Sequence, residues 1–348
     1  MAQMVYSRED LMASHKYARP HEEVGYKLHG GFLENGEYTS PRVLNRWPAV
    51  KAWAAALQAR GGTLIDCSRR ILTGDTYPTR EQQKLLLGNG FGQTFWNSLT
   101  NTGVIEARGG ALCEVPVPDF QALFVEDVSQ MAVGHLHKGL LYAHGADEAG
   151  DPDNRDFGAH DKMWFACRDM VFGKNAYPRP EVAQALSRPD ASARELPQIP
   201  PMFEQLIKFM MNILMIEVRA ENFFQFCRDV FSDPDNFKDK RAEAEKARTI
   251  VERIAADETI HVGYLQCALS EMRTLTFKTV DGGTIKGATL LDPLWAKMVA
   301  WPSLDARTQM RAQTRKAIEE QVVAKLGEKD GAALLAKFDA LIETSKAA

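Results

Sequence analysis

The sequence has no C-x-x-C pair, no long apolar run and no excess of basic charge. Its five cysteines, Cys67, Cys113, Cys167, Cys227 and Cys267, are odd in number and widely spaced. That argues against a disulfide framework or a zinc ribbon and favours a reducing, cytoplasmic compartment. A membrane-spanning helix needs about 18 consecutive apolar residues. The best candidate, 209–216, is short and contains Asn212. The first residues run into Ser7-Arg8-Glu9-Asp10 without the apolar core of a signal peptide. A net charge of −4 gives no footprint for nucleic acid or an anionic membrane.

What is present is an ordinary globular composition, 45% hydrophobic over 348 residues, enough for one large domain or two smaller ones. The chain changes character near residue 116. Residues 1–115 are rich in glycine and turn signals, with helices expected only over 48–59 and 79–87 and the rest as loops and short strands: an irregular α+β region. Residues 116–275 read as a metal-binding helical bundle. Helices are expected over 119–143, 156–172, 202–231 and 238–273, with an acidic loop at 145–154 and a proline-rich connector before the third. Residues 276–348 read as a β-hairpin around Asp281-Gly282-Gly283 and a closing helical hairpin broken at 327–331, packed on the bundle. The fold class expected is mainly α.

The third helix carries Glu217 and Glu221 on its apolar stripe, beside Leu206, Met210, Ile213, Leu214 and Phe224. Ionised carboxylates there cost several kcal/mol unless compensated. Either Arg228 pairs with Glu221, or a metal ion lies between the helices. The fourth helix favours the metal. Its apolar stripe, with Ala247, Val251, Ile254, Leu265 and Leu269, also carries Glu258 and His261. The i, i+3 spacing places their Cβ atoms about 5 to 6 Å apart on one face, so a carboxylate oxygen and an imidazole nitrogen can reach one ion. Asp257 is placed to accept the ring N–H of a liganding histidine on another helix, or is a surface aspartate.

On the first helix Glu126, His137 and His144 share a stripe with Val133 and Leu140: candidate ligands or the wet edge of an amphipathic helix. On the second, His160 shares a stripe with Phe157, Trp164, Cys167 and Val171. Asp156, one turn before it, is a ligand or a helix cap.

The run of Glu221, 35 residues, then Asp257-Glu258-Thr259-Ile260-His261 resembles one half of the ferritin-like di-iron carboxylate oxygenases, and is similar to the p-aminobenzoate N-oxygenase group. That resemblance implies a four-helix ferritin-like bundle with two irons, or Mn or a mixed Mn/Fe pair. It implies Glu221 and Glu258 as carboxylate ligands, His261 as a terminal ligand and Asp257 as the carboxylate behind a ligand. In the first half Glu126 and His160 stand 34 apart, as the family's outer Glu and His do, but Phe157 occupies the position where the family has Glu. Glu217, Asp156, His137 or Asp161 are the candidate replacements.

The function expected is a metal-dependent oxidoreductase, a monooxygenase or oxidase that activates O₂ against a small apolar or aromatic molecule. An electron-donor protein and a homodimer are conceivable partners. The rivals are a non-catalytic helical scaffold with a degenerate site, favoured by Phe157, and a heme-oxygenase-like di-metal oxidase, disfavoured by Leu265 four residues after His261. A zinc hydrolase lacks its H-E-x-x-H motif.

Overall fold

The computed structural model describes residues 3–68, 71, 76–154, 157–182 and 193–345. The chain is mainly helical, with two small antiparallel strand pairs. Helix α1 (Arg8–Met12) opens on a capping box, in which Ser7 and Asp10 exchange side-chain-to-backbone hydrogen bonds. Strands β1 (His21–Glu23) and β2 (Tyr26–Leu28) form a hairpin that turns through Val24 and Gly25, both at positive φ, the geometry that matches strand twist. Helices α2 (Val43–Ala59), α3 (Arg80–Gly88) and α4 (Gln93–Arg108) follow.

The helices that hold the site are α4, α5 (Leu140–Ala149), α6 (His160–Phe172), α7 (Pro201–Ser232) and α8 (Arg241–Thr274). Helix α7 packs along α8, α6 lies against both α4 and α8, and the short α5 caps the group. Strands β3 (Thr276–Lys278) and β4 (Thr284–Lys286) form the second hairpin. Two helical arms within α9 (Gly287–Ser345) then meet at Gly327, whose φ of 78° breaks the helix. The second arm packs on α3 through Leu334, Leu335 and Phe338. Among the described residues, no helix is long and apolar enough to cross a membrane.

Two apolar cores divide the bundle. One contains Met210, Leu214 and Val218 of α7 with Tyr264, Leu265 and Leu269 of α8. The other contains Phe224, Val230 and Phe231 of α7 with Ala247, Val251 and Ile254 of α8. Between them, at the middle of both helices, α7 buries Glu217 and α8 buries Asp257, Glu258 and His261. Each core removes several large side chains from water, at roughly 1.5–3 kcal/mol apiece. Together they hold the polar middle of both long helices away from solvent.

Three expectations about local structure are corrected. Residues 119–143 are not one helix but two 3₁₀ turns, Phe120–Ala122 and Val133–Lys138, with α5 starting only at Leu140. Gly139, at φ 111°, separates the second turn from α5. The supposed loop 145–154 is helical as far as Ala149, because His144, Asp147 and Glu148 are buried against partners that outweigh its turn-like composition. Residues 93–108, expected as loops and short strands, form helix α4 although Asn97, Thr100, Asn101, Thr102 and Gly103 are poor helix formers. Burial of Phe95, Trp96 and Leu99 carries it instead.

Candidate metal centre

Five helices deliver side chains to one point. Helix α4 gives Glu106 from its last turn, α5 gives His144 and Glu148, α6 gives His160 as its first residue, α7 gives Glu217, and α8 gives Glu258 and His261. Two groups of potential ligand atoms, each within 4.8 Å of one another, overlap here: His144, Glu148, Glu217, Glu258 and His261, and Glu106, Glu148, His160 and Glu258. Glu148 and Glu258 belong to both.

The close approach of α5 to the end of α4 depends on glycine. A Cβ on Gly109 would lie 2.6 Å from the Cβ of Glu148, and one on Gly145 would lie 2.8 Å from the Cβ of Leu112. Any larger residue at either position would push Glu148 outward.

The two histidines at the heart of the cluster are held alike. His160 turns Nδ1 inward, 3.0 Å from Glu258 Oε1 and 3.4 Å from Glu148 Oε1, while its Nε2 lies 3.0 Å from Asp257 Oδ2. His261 turns Nδ1 inward, 2.6 Å from Glu258 Oε2 and 3.0 Å from Glu148 Oε1, while its Nε2 lies 3.1 Å from Asp147 Oδ2. A carboxylate on the outer nitrogen fixes the ring with Nε2 protonated and leaves the Nδ1 lone pair free for a metal. His144 uses the opposite face. Its Nε2 is 3.1 Å from Glu217 Oε1 and its Nδ1 is 2.9 Å from the Tyr264 hydroxyl.

Both outer aspartates are themselves anchored by the N-terminal region. Arg42 Nη1 donates to Asp147 at 2.5 Å and Arg46 Nη2 at 2.6 Å, both within the protein interior. Asp257 accepts from the Tyr38 hydroxyl at 2.7 Å, from Ser40 Oγ and from His29 at 3.2 Å.

The donor set fits a metal. Glu148 Oε1, Glu258 Oε1 and His160 Nδ1 are buried, point into the cluster and approach other cluster atoms there without hydrogen-bond geometry. Buried polar atoms without a partner are costly, and three aimed at one place mark a position for a cation. Carboxylate and imidazole donors together suit iron, manganese or zinc.

The electrostatics of the metal-free cluster carry the same signature. Burial pushes Glu217 up to about 7, with repulsion from Glu258 adding to it and His144 opposing it. Burial and the Glu148 charge hold Glu106 well above the usual carboxylate range. Burial also opposes ionisation of Asp147, but Arg46 and Arg42 outweigh it and hold that carboxyl well below its ordinary value. Burial would lower His160 and His261, yet the surrounding glutamates raise both well above the ordinary imidazole range.

No protein-family model, curated protein or solved structure matches this chain.

Of the residues singled out from sequence, His144, Glu217, Glu258, His261 and His160 meet in the cluster, and Asp257 sits behind His160. Glu126 and Glu221 do not. Glu126 spends its carboxylate on Thr276, accepting from the backbone N–H at 2.8 Å and from the hydroxyl at 2.7 Å, because its segment is a turn beside β3 and not a bundle helix. Glu221 is exposed. Four residues beyond Glu217 on a helix of 3.6 residues per turn, it has rotated about 40° toward solvent. His137 lies 4.0 Å from Asp119, away from the cluster. Asp161 is buried but pairs with Lys162 at 2.5 Å. Asp156 lies outside the described residues.

Sequence reading missed Glu106, Glu148 and the outer residues Asp147, Arg42 and Arg46. Glu148 brings a carboxylate to the cluster from α5, and Phe157, where the resemblance implies a glutamate, is not in it. One signal was available: Ala146-Asp147-Glu148 repeats Ala256-Asp257-Glu258. In both copies the aspartate holds the other half's histidine and the glutamate points between the two histidines.

A cavity of about 220 Å³ opens onto the cluster between the end of α4 and the face of α7. Glu106, His144, Glu148 and Glu217 form its floor, and its walls include Ile105, Leu112, Phe209, Ile213 and Ile216.

Proposed function

We propose that this chain is a metal-dependent oxidoreductase on a ferritin-like bundle, with two metal ions held by Glu106, Glu148, His160, Glu217, Glu258, His261 and His144. The observation that carries this reading is that Glu148 and Glu258 each belong to both ligand groups, as bridging carboxylates between two ions would. Charge supports it too, since four glutamates balance two divalent cations, while Asp147 is neutralised separately by Arg42 and Arg46. Iron is the metal we favour, with manganese or a mixed pair as the alternatives.

Two reduced irons would supply the capacity to activate O₂ and oxidise a small organic substrate, as a monooxygenase or oxidase does. The chain's own residues supply the rest. Asp147 and Asp257 hold the histidine rings in the tautomer that presents Nδ1 inward. Glu217 brings a carboxylate from α7 to the cluster, held by His144 Nε2 at 3.1 Å. The apolar walls of the cavity exclude water from the reacting molecule. Reducing equivalents would come from an electron-donor protein.

The scaffold reading drew on Phe157 and the carboxylate thought missing there, a role Glu148 fills from α5. The deciding experiment is elemental analysis of purified protein, followed by oxygen-electrode measurements after anaerobic loading with Fe(II). We expect two irons per chain and O₂ consumption that depends on them. A single zinc per chain with no O₂ consumption would overturn the proposal.

A further inference from the structure

The wall of the cavity beside the cluster is one stripe of α7. Phe209, Asn212, Ile213, Ile216, Glu217 and Ala220 follow one another at helical spacing from the cavity's outer part to the candidate ligand Glu217. Every member but one is either apolar or a ligand. Asn212 is the exception. It is partly buried and lines the cavity, and among the described residues its side-chain amide has no hydrogen-bond partner. Its amide offers one acceptor oxygen and two N–H donors to a molecule bound in the cavity.

From this geometry we infer that the cavity is the substrate pocket and that Asn212 is its specificity-determining residue, reading one uncharged hydrogen-bonding group on an otherwise apolar molecule. This rests on the proposed metal centre for the identity of the reacting end, but not for binding. The size follows from the volume. An apolar cavity of about 150 Å³ holds benzene, so about 220 Å³ holds roughly nine non-hydrogen atoms. The length follows from the helix. Asn212 lies five residues before Glu217, a rise of about 7.5 Å, so the polar group sits about that far from the end of the molecule nearest the cluster. The class is thus a compact ring or branched chain with a hydroxyl, carbonyl or amide at the end remote from the cluster.

The test uses two probes of equal size, 4-ethylphenol and 4-ethyltoluene, titrated calorimetrically into the full chain as purified and again after Fe(II) loading under anaerobic conditions. We expect the phenol to bind about tenfold more tightly. Asn212→Leu should remove that preference while leaving metal content unchanged, and Asn212→Ser should retain part of it. Ile216→Trp should abolish binding of both probes with metal content retained. Equal affinities in the parent protein, a preference that survives Asn212→Leu, or binding of both probes unaffected by Ile216→Trp would each overturn the inference. The two readings separate cleanly. Selective phenol binding by a protein that takes up no iron sinks the proposed activity and keeps the pocket, whereas two irons with no selectivity sinks the pocket alone.

Discussion

Asp147 and His261 meet across the bundle, Oδ2 to Nε2 at 3.1 Å, although 114 residues separate them. The same aspartate is held from behind by Arg42 and Arg46, so three elements are tied together at one carboxylate. Asp147→Asn keeps the shape and removes the charge. Arg46 then loses its buried counter-ion and Arg42 keeps only Asp151, a change that costs about 3–5 kcal/mol when one partner of a buried pair is removed. His261 also loses the acceptor that fixes its tautomer, which typically lowers metal affinity 10–100-fold. Urea denaturation should show the first effect and Co(II) competition titration the second. Unchanged Co(II) affinity in a folded Asp147→Asn protein would remove this aspartate from the metal's support.

Glu148 and Glu126 give opposite expectations, and the pair tests where the first half of the site lies. Glu148→Ala removes a carboxylate shared by both ligand groups, so metal content should fall below half that of the parent. Glu126→Ala removes only the hydrogen bonds to Thr276, worth about 1.5–3 kcal/mol for a charged acceptor, and should leave metal content unchanged. Elemental analysis of both variants decides. The reverse pattern would place the centre near β3 and discard the cluster described above.

The contrast between these two glutamates also shows how far the sequence could be read. The second half of the site was legible because α8 is continuous: 3.6-residue periodicity puts Glu258 and His261 on one buried face, and the long α7 delivers Glu217 opposite them. The first half was not, because its ligands are split between α5 and α6. Periodicity carries no information across the break from Gly150 to Ala159. Glu126 stood at the right spacing from His160, but spacing in sequence means little once the intervening chain turns through Gly134 and Gly139. Arg42 and Arg46 could not have been found at all, since only tertiary packing of α2 brings them to Asp147. The recurrence of Ala-Asp-Glu at 146–148 and 256–258 was the one local sign of the internal correspondence.

Gly109 offers a test that touches no ligand. An added Cβ would sit 2.6 Å from the Cβ of Glu148, well inside contact distance. Gly109→Ala should therefore push α5 away from α4, lower stability by about 1–3 kcal/mol as overpacking does, and reduce metal occupancy along with it. Gly88→Ala is the control. Nothing lies within 4 Å of its added Cβ, so metal content should hold and stability should change by less than about 1 kcal/mol. Thermal melts and elemental analysis on both variants read the difference. Full occupancy in Gly109→Ala would mean that the approach of the two helices does not set the position of Glu148.

Glu271 makes a prediction about pH that is independent of the metal. Its side chain is buried on α8, nearly three helical turns beyond His261, where Oε2 accepts from the Val133 N–H at 3.0 Å and Oε1 lies 3.8 Å from Cys267 Sγ. Burial pushes its carboxyl up to about 7 from an ordinary 4.5, with the amides of Val133 and Ala132 and the charge of Arg60 only partly offsetting the shift. A raised carboxyl favours the folded state while it keeps its proton. That contribution is complete below about pH 4.5 and is lost as pH rises toward 7, because the unfolded chain ionises first. The loss is on the order of 3 kcal/mol. Glu271→Gln cannot ionise but still offers Val133 an acceptor oxygen. Relative to the parent, the variant should therefore gain stability on going from pH 5 to pH 8, and the difference between the two proteins cancels the titration of the cluster. Urea denaturation of both across that range is the measurement, and a difference that stays constant with pH would show that Glu271 remains in one protonation state throughout.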